Sequence, residues 1–418
     1  MFINKYTLIF LSFFMTISFC GIAQKTEENL EYYLKIAAEN NPELKMKFSN
    51  YMAAMEKVPQ VGALPDPEFT FGYFIQPVET RVGPQRVKLG LMQLFPWFGS
   101  LGAKEDVATQ LANAKYELFE NNKSNLFFEV KTTYYNYYFT EKAIQITKDN
   151  IEILRIFKNL SLVKIENGTA SIVDVLRVEL ELNDLENQLA LFIDTKNVLQ
   201  IGFNNLLNRN KYATIAVPES LMEEKLPYEK VVLLDSIYAS NHEIKNIDHK
   251  LNAFLNQEIS AKKQGNPSFK IGVNYIIVDK NPGSMASDNG NDAFLFPSIG
   301  VTIPLYRKKY KALIKEAQYL QEAEKANKAN TKNTLSSIFE KTYKDFSDGE
   351  RRIELNIKQS EIAKKVLDVL ITSYSTNSKD FEEVLRIERQ LLGYRLAYQK
   401  ALIDKNAATA FMYYLLGN

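Results

Sequence analysis

Two long stretches, 101–166 and 308–375, contain no proline, and their only glycines are Gly102, near the start of the first, and Gly349. Proline breaks helix interiors because it lacks an N–H donor and its ring clashes with the preceding turn. At 1.5 Å per residue, a helix filling either stretch would span about 100 Å. An ordinary globular domain has no use for such lengths, so the pattern predicts a coiled-coil or tubular assembly. Each stretch ends in a short break, 167–171 (Asn-Gly-Thr-Ala-Ser) and 376–380 (Thr-Asn-Ser-Lys-Asp), and returns as a second helical pattern over 172–208 and 381–416. Asn167-Gly168 supplies a tight turn, and Ser171 or Asp174 can cap the returning helix. The expectation is two antiparallel helical hairpins.

The hairpins belong to a repeat that nearly fills the chain. Asn41-Pro-Glu-Leu-Lys45 recurs as Asn241-His-Glu-Ile-Lys245, Pro67-Glu-Phe-Thr-Phe-Gly72 as Pro267-Ser-Phe-Lys-Ile-Gly272, and Asp174-Val-Leu-Arg-Val-Glu179 as Glu383-Val-Leu-Arg-Ile-Glu388. The boundaries read as a first repeat over 24–210, a connector with Pro218 and Pro227 over 211–227, and a second repeat over 228–418. Each copy opens with a helix, expected over 27–58 and 228–264. Two strands follow, at about 67–76 and 85–94 in the first copy and 268–278 and 294–303 in the second. In the first strand Phe69, Phe71, Tyr73 and Ile75 alternate with Glu68, Thr70 and Gly72. Apolar-out, polar-in alternation over about ten residues is what a transmembrane barrel strand needs. Four such strands cannot close a barrel alone, and an open edge in lipid leaves backbone groups unpaired. Further copies of the chain are therefore required, arranged symmetrically.

Residues 1–23 read as an export signal: Lys5, an apolar run from Tyr6 to Phe19, then Gly21-Ile-Ala23 before a cleavage point. The large Phe19 argues against lipidation at Cys20. No later stretch is apolar for 18 residues, so no spanning helix is expected. Lys and Arg (51) balance Asp and Glu (50), which argues against nucleic acid as a partner. Cys20 is the single cysteine, excluding disulfide frameworks and Cys-based metal sites. His242 and His249, seven residues apart without Cys or acidic companions, make a poor metal site. Met46, Met52 and Met55 are expected to fill core gaps. Gly99-Ser-Leu-Gly-Ala-Lys104 lacks the phosphate-loop spacing. The reading is therefore a non-enzyme without cofactor or metal.

The order helix, two strands, long hairpin, done twice behind a leader, resembles the TolC-type outer membrane efflux family. The match rests on Asn41-Pro42-Glu43-Leu44, Pro65-Asp66-Pro67, Gln93-Leu-Phe-Pro-Trp-Phe-Gly99 and the turn Gly168-Thr-Ala-Ser-Ile-Val-Asp-Val-Leu176. The Gln-x-Phe-Pro-Trp-x-Gly segment is similar to the branch paired with heavy-metal exporters of the RND type. The resemblance implies a mainly α chain with membrane β: a homotrimer, a 12-stranded β-barrel continued by a long α-helical barrel, in outer membrane lipid with its helices in the periplasm. It implies a passive efflux channel for metal cations or drugs, partnered by a periplasmic adaptor and an inner-membrane pump. The alternatives are the exit duct of a type I protein secretion system and a soluble periplasmic coiled-coil scaffold. In a channel, Asp174, Asp380, Glu382 and Glu383 at the hairpin ends become the candidate gate and selectivity residues. Arg177 and Arg386 become the candidate gate-stabilising residues, bridging hairpins. Asn167, Gly168 and Thr169, with Thr376, Asn377 and Ser378, are the candidate adaptor-docking tips. Pro96, Trp97 and Pro304 mark the strand-to-helix junctions, where Trp97 can anchor at the membrane interface.

Overall fold

The computed structural model describes residues 29–376 and 381–418. The leader expected over 1–23, with Cys20, lies outside the described residues. Three short helices open the first copy: α1 (Leu30–Asn40), α2 (Pro42–Met55) and α3 (Lys57–Gly62). Strands β1 (Glu68–Val78) and β2 (Gln85–Phe95) follow, then the long α4 (Ser100–Glu166) and the returning α5 (Ile172–Leu206). The second copy has α6 (Lys230–Ser240), α7 (His242–Gln264), β3 (Ser268–Val278), β4 (Ala293–Thr302), α8 (Arg307–Thr376) and α9 (Phe381–Leu415).

The single opening helices expected over 27–58 and 228–264 are each broken, and the break organises the fold. Asn41 adopts ψ 123° and its Oδ1 accepts from Leu44 N–H, with Pro42 seated where a helix needs no donor. Its Nδ2 donates to Leu206 O, at the end of α5, at 3.0 Å. Asn241 repeats this: Oδ1 accepts from the Glu243 and Ile244 N–H groups, and Nδ2 donates to Leu415 O at 3.0 Å. One amide therefore caps the start of one helix and the end of another. By this joint α5 continues into α2, and α9 into α7. Below the joints the helices pack in the order α5–α4–α9–α8, and above them α2–α4–α7–α8. The wall is thus four columns wide, two of single long helices and two of jointed pairs.

The strands form one antiparallel sheet ordered β1-β2-β3-β4, so the two copies join through β2 and β3. The register sets Phe71, Leu89, Tyr275 and Phe294 in one row and Phe69, Leu91 and Val273 in another, on a common face. Glu68, Thr70, Lys88, Lys270 and Asn274 lie on the opposite face. Gly272 is required there: a Cβ would meet Leu91 O at 2.3 Å. The connector is ordered rather than loose. Tyr33 Oη accepts from Ala216 N–H at 2.8 Å, Tyr138 Oη accepts from Leu221 N–H at 3.1 Å, and Tyr134 Oη donates to Ala216 O. Tyr33, Tyr135, Tyr138 and Phe203 are fully buried there, and burial pushes the Tyr134 hydroxyl up to about 12. Among the described residues, no helix is long and apolar enough to cross a membrane.

The joint predicts an ordered loss of stability. Asn241→Ser, which keeps an acceptor but removes the Nδ2 donor, should cost about 1 kcal/mol, and Asn241→Ala about 2 kcal/mol. Denaturant unfolding followed by helical circular dichroism measures both; equal stability of the three chains would reject the double cap.

Candidate functional site

The first hairpin turn is closed by its own backbone. Gly168 sits at φ +70°, donates to Ile165 O at 2.8 Å, and Thr169 N–H donates to Lys164 O at 2.9 Å. These two bonds satisfy the last carbonyls of α4, and the left-handed residue between them favours glycine. Asn167 Nδ2 donates to Val163 O and Thr169 Oγ1 to Lys164 O, so these polar groups brace the turn while staying exposed. Ser171 is the cap of α5, its Oγ accepting from Val173 N–H. Asp174 lies in the first turn, where a carboxylate complements the helix dipole. Asn377, Ser378 and Asp380 lie outside the described residues, as does the side chain of Thr376.

The structure brings three of the candidate charges together. Arg177 Nη2 lies 2.9 Å from Glu382 Oε2 on the other hairpin, and Nη1 lies 3.9 Å from Asp174 Oδ1. Arg386, expected to bridge in the same way, pairs instead with Glu383 on its own helix. Three residues apart on α9, the two side chains share a face, so the nearest carboxylate is local. Three further ties, not anticipated from the sequence, join the hairpins. Arg389 grips Glu181 on α5 with Nη2 2.6 Å from Oε2 and Nε 3.1 Å from Oε1. Lys164 Nζ lies 4.0 Å over the Tyr374 ring and donates to its carbonyl. Phe381 packs on Tyr374 and Phe157 at centroid distances of 4.9 and 6.2 Å.

Above these ties a carboxylate is buried in the apolar seam between α4 and α9. Glu388 is 1% exposed among Ile151, Leu154 and Leu391. Its Oε1 accepts from Asn150 Nδ2 at 2.6 Å, and Oε2 has no hydrogen-bond partner. Burial pushes its pKa up, against the opposing influence of Arg395 and the Asn150 bond. Its equivalent in the first copy, Glu179, pairs with Lys158 at 2.8 Å in a partly exposed setting. The repeat aligned the two glutamates, and nothing in their local sequence signalled the different burial.

At the strand ends, Trp97 stacks on Phe269 at 6.1 Å, while Phe98, 79% exposed, is the side chain presented outward. Pro304 is buried beside β4, and Pro96 is partly covered. His242 Nδ1 meets Glu117 Oε2 at 2.6 Å and its Nε2 meets Gly417 O at 3.1 Å; His249 Nδ1 meets Gln110 Oε1. The histidines thus join α7 to α4 and the end of the chain. Among the described residues, no group of three His, Cys, Asp or Glu is placed to hold a metal. Met46 and Met52 are exposed rather than filling core gaps, because α2 packs on α4 and leaves its other side open.

Residues 33–201 match the family model described as outer membrane efflux protein. No curated protein matches the chain by sequence. Solved structures share this fold over most of their length, among them three outer membrane proteins. The Neisseria gonorrhoeae MtrE outer membrane channel, in its open state, is 17% identical with a TM-score of 0.76, covering 94% of this chain and 89% of its own. The outer membrane protein VceC of Vibrio cholerae is 15% identical with a TM-score of 0.74, covering 92% and 95%. CusC, solved in connection with transmembrane channel formation, is 14% identical with a TM-score of 0.75, covering 93% and 92%. The order helix, two strands and long helical hairpin, expected twice along the chain, is the one observed.

Glu388 gives a pH signature. The unfolded chain releases this proton near the ordinary carboxylate pKa while the fold retains it. Stability therefore falls as pH rises from that value through the raised folded pKa. Glu388→Gln should gain about 1–3 kcal/mol at pH 7.5 and nothing below pH ~4. Thermal unfolding at the two pH values measures it, and an equal gain at both would reject the assignment.

Proposed function

We propose that the chain is the outer membrane channel of a tripartite efflux system. It conducts metal cations or drugs passively to the exterior from a periplasmic adaptor and an RND-type inner-membrane pump. The observation that carries this reading is the sheet. One face is apolar and bare, with Phe69 67%, Ile75 88% and Phe294 68% exposed, and both edges, β1 and β4, lack a partner strand among the described residues. A soluble scaffold gives such a surface no purpose. Hydrocarbon does, provided every edge is paired. Three copies, β1 of one beside β4 of the next, make a closed ring of twelve strands.

The helical wall supports the same closure. Its edge columns below the joints, α5 and α8, each carry an exposed apolar stripe: Leu176, Leu180 and Val198 on α5, and Leu355, Ile362 and Val366 on α8. Such stripes bury one another when the α5 edge of one copy meets the α8 edge of the next, a head-to-tail contact that closes into a ring. The hairpin ends would then converge at the periplasmic mouth. Arg177, with Asp174 and Glu382, holds the two hairpins of one copy together there as a gate strap, and the turn at 167–169 is the surface offered to the adaptor.

The protein should be extracted from outer membranes only with detergent, as a trimer; recovery in the aqueous fraction would reject the channel. In planar bilayers, Arg177→Ala and Glu382→Ala should each raise the open fraction. Each exposed ion pair contributes under about 1 kcal/mol, but three straps act together in a trimer. Arg386→Ala, whose partner is on its own helix, should change it little. Equal effects at Arg177 and Arg386 would remove the strap from the gate.

A further inference from the structure

We infer that Lys88 makes the bore of the barrel attractive to anions, biasing passage toward neutral or anionic solutes over bare metal cations; this rests on the channel reading above. The polar face of the sheet, the side turned from lipid in a closed barrel, carries few charges. Within the paired register they are Glu68, Lys88 and Lys270. Lys270 Nζ lies 3.4 Å from Glu68 Oε2, so that pair offsets itself. At the outer end of the strands Arg86 Nε is held by Asp279 Oδ2 at 2.6 Å, and Arg81 by Asp288 in the loops beyond. Lys88 is exposed and, among the described residues, has no carboxylate within 4.0 Å.

The neighbours of Lys88 leave its ammonium in the open. Gly72 stands directly across on β1, with its nearest Lys88 atom 3.9 Å from where a Cβ would be, and Gly90 is the next residue on the same face of β2. On β3 its partner is Ile276, so neither in-register neighbour of Lys88 supplies a carboxylate. Threefold closure turns the one uncompensated lysine into a ring of three in the bore. A ring of lysines raises the local concentration of anions and lowers that of cations. The carboxylates proposed at the hairpin ends stand at the opposite end of the tube, so the two rings act on the solute at different points.

Thr70 lies opposite Gly90 on the same face and makes a reporter that does not depend on whether the periplasmic end is open. Cells making the full chain with Thr70→Cys would be treated from outside with membrane-impermeant thiosulfonates, one anionic and one cationic, with the unsubstituted chain as blank. Adding Lys88→Ala should lower the anionic-to-cationic rate ratio about threefold at 0.1 M salt. Lys88→Arg should preserve the ratio, and the difference should close at 1 M salt, where the Debye length is about 3 Å. Lys88→Gln serves as a second neutral variant should the alanine chain assemble poorly. A ratio unmoved by both neutral variants would overturn the inference while leaving the channel intact. Failure of both reagents to reach Thr70→Cys would instead overturn the channel reading itself.

Discussion

A strand edge in hydrocarbon must be paired, because no water is present to satisfy its N–H and C=O groups and each bare group costs several kcal/mol. Among the described residues, the β1–β4 sheet pairs both sides of β2 and β3 and leaves the outer edges of β1 and β4 unpaired. Much of the remaining structure is consistent with meeting the constraint through neighbouring copies. The apolar row Phe71, Leu89, Tyr275 and Phe294 runs across all four strands, so the sheet has one apolar side and one polar side. A one-residue slip in any strand would turn its apolar set inward, so this alternation fixes the register. The glycines of the polar face, Gly272 above all, permit close strand approach and keep the proposed bore open.

Below the sheet, the same duplication is carried by helices rather than strands. The two asparagine joints let a wall of four columns be built from two unbroken helices and two jointed ones. Because one side chain satisfies the start of one helix and the end of another, the column continues while the chain leaves it. At Asn41 the chain arrives from α1, and at Asn208, beyond the end of α5, it departs into the connector. The buried tyrosines of this level hold that connector by their hydroxyls.

The copies diverge where they meet. Glu179 is paired and partly exposed, whereas its counterpart Glu388 is sealed between α4 and α9 with one oxygen unpartnered. Arg177 reaches the other hairpin while Arg386 stays on its own. A repeat predicts equivalent local structure, but the first copy's α4 and α5 and the second copy's α8 and α9 face different neighbours. α4 lies inside the layer and α8 at its edge, so equivalent side chains meet inequivalent surroundings.

The order of elements, the amphipathic strands and the turn at Gly168 were legible in the sequence because each depends on short-range chemistry: period-two alternation, freedom from proline, and one residue's tolerance of positive φ. The signals at Asn41-Pro42 were equally local, yet they served only to mark the repeat, since an asparagine cap inside a long helical pattern shows its meaning only when a second helix end is placed against it. The Arg177–Glu382 strap, the Arg389–Glu181 grip, the burial of Glu388 and the exposure of Met46 and Met52 were not legible, because each depends on which helices, far apart along the chain, become neighbours in space. By itself the sequence determined what each segment is, since propensity and periodicity act within a few turns. Only the tertiary structure decided which charges meet, which are sealed from water and which, like Lys88, are left without a partner, because electrostatic and packing energies depend on distances in space rather than along the chain.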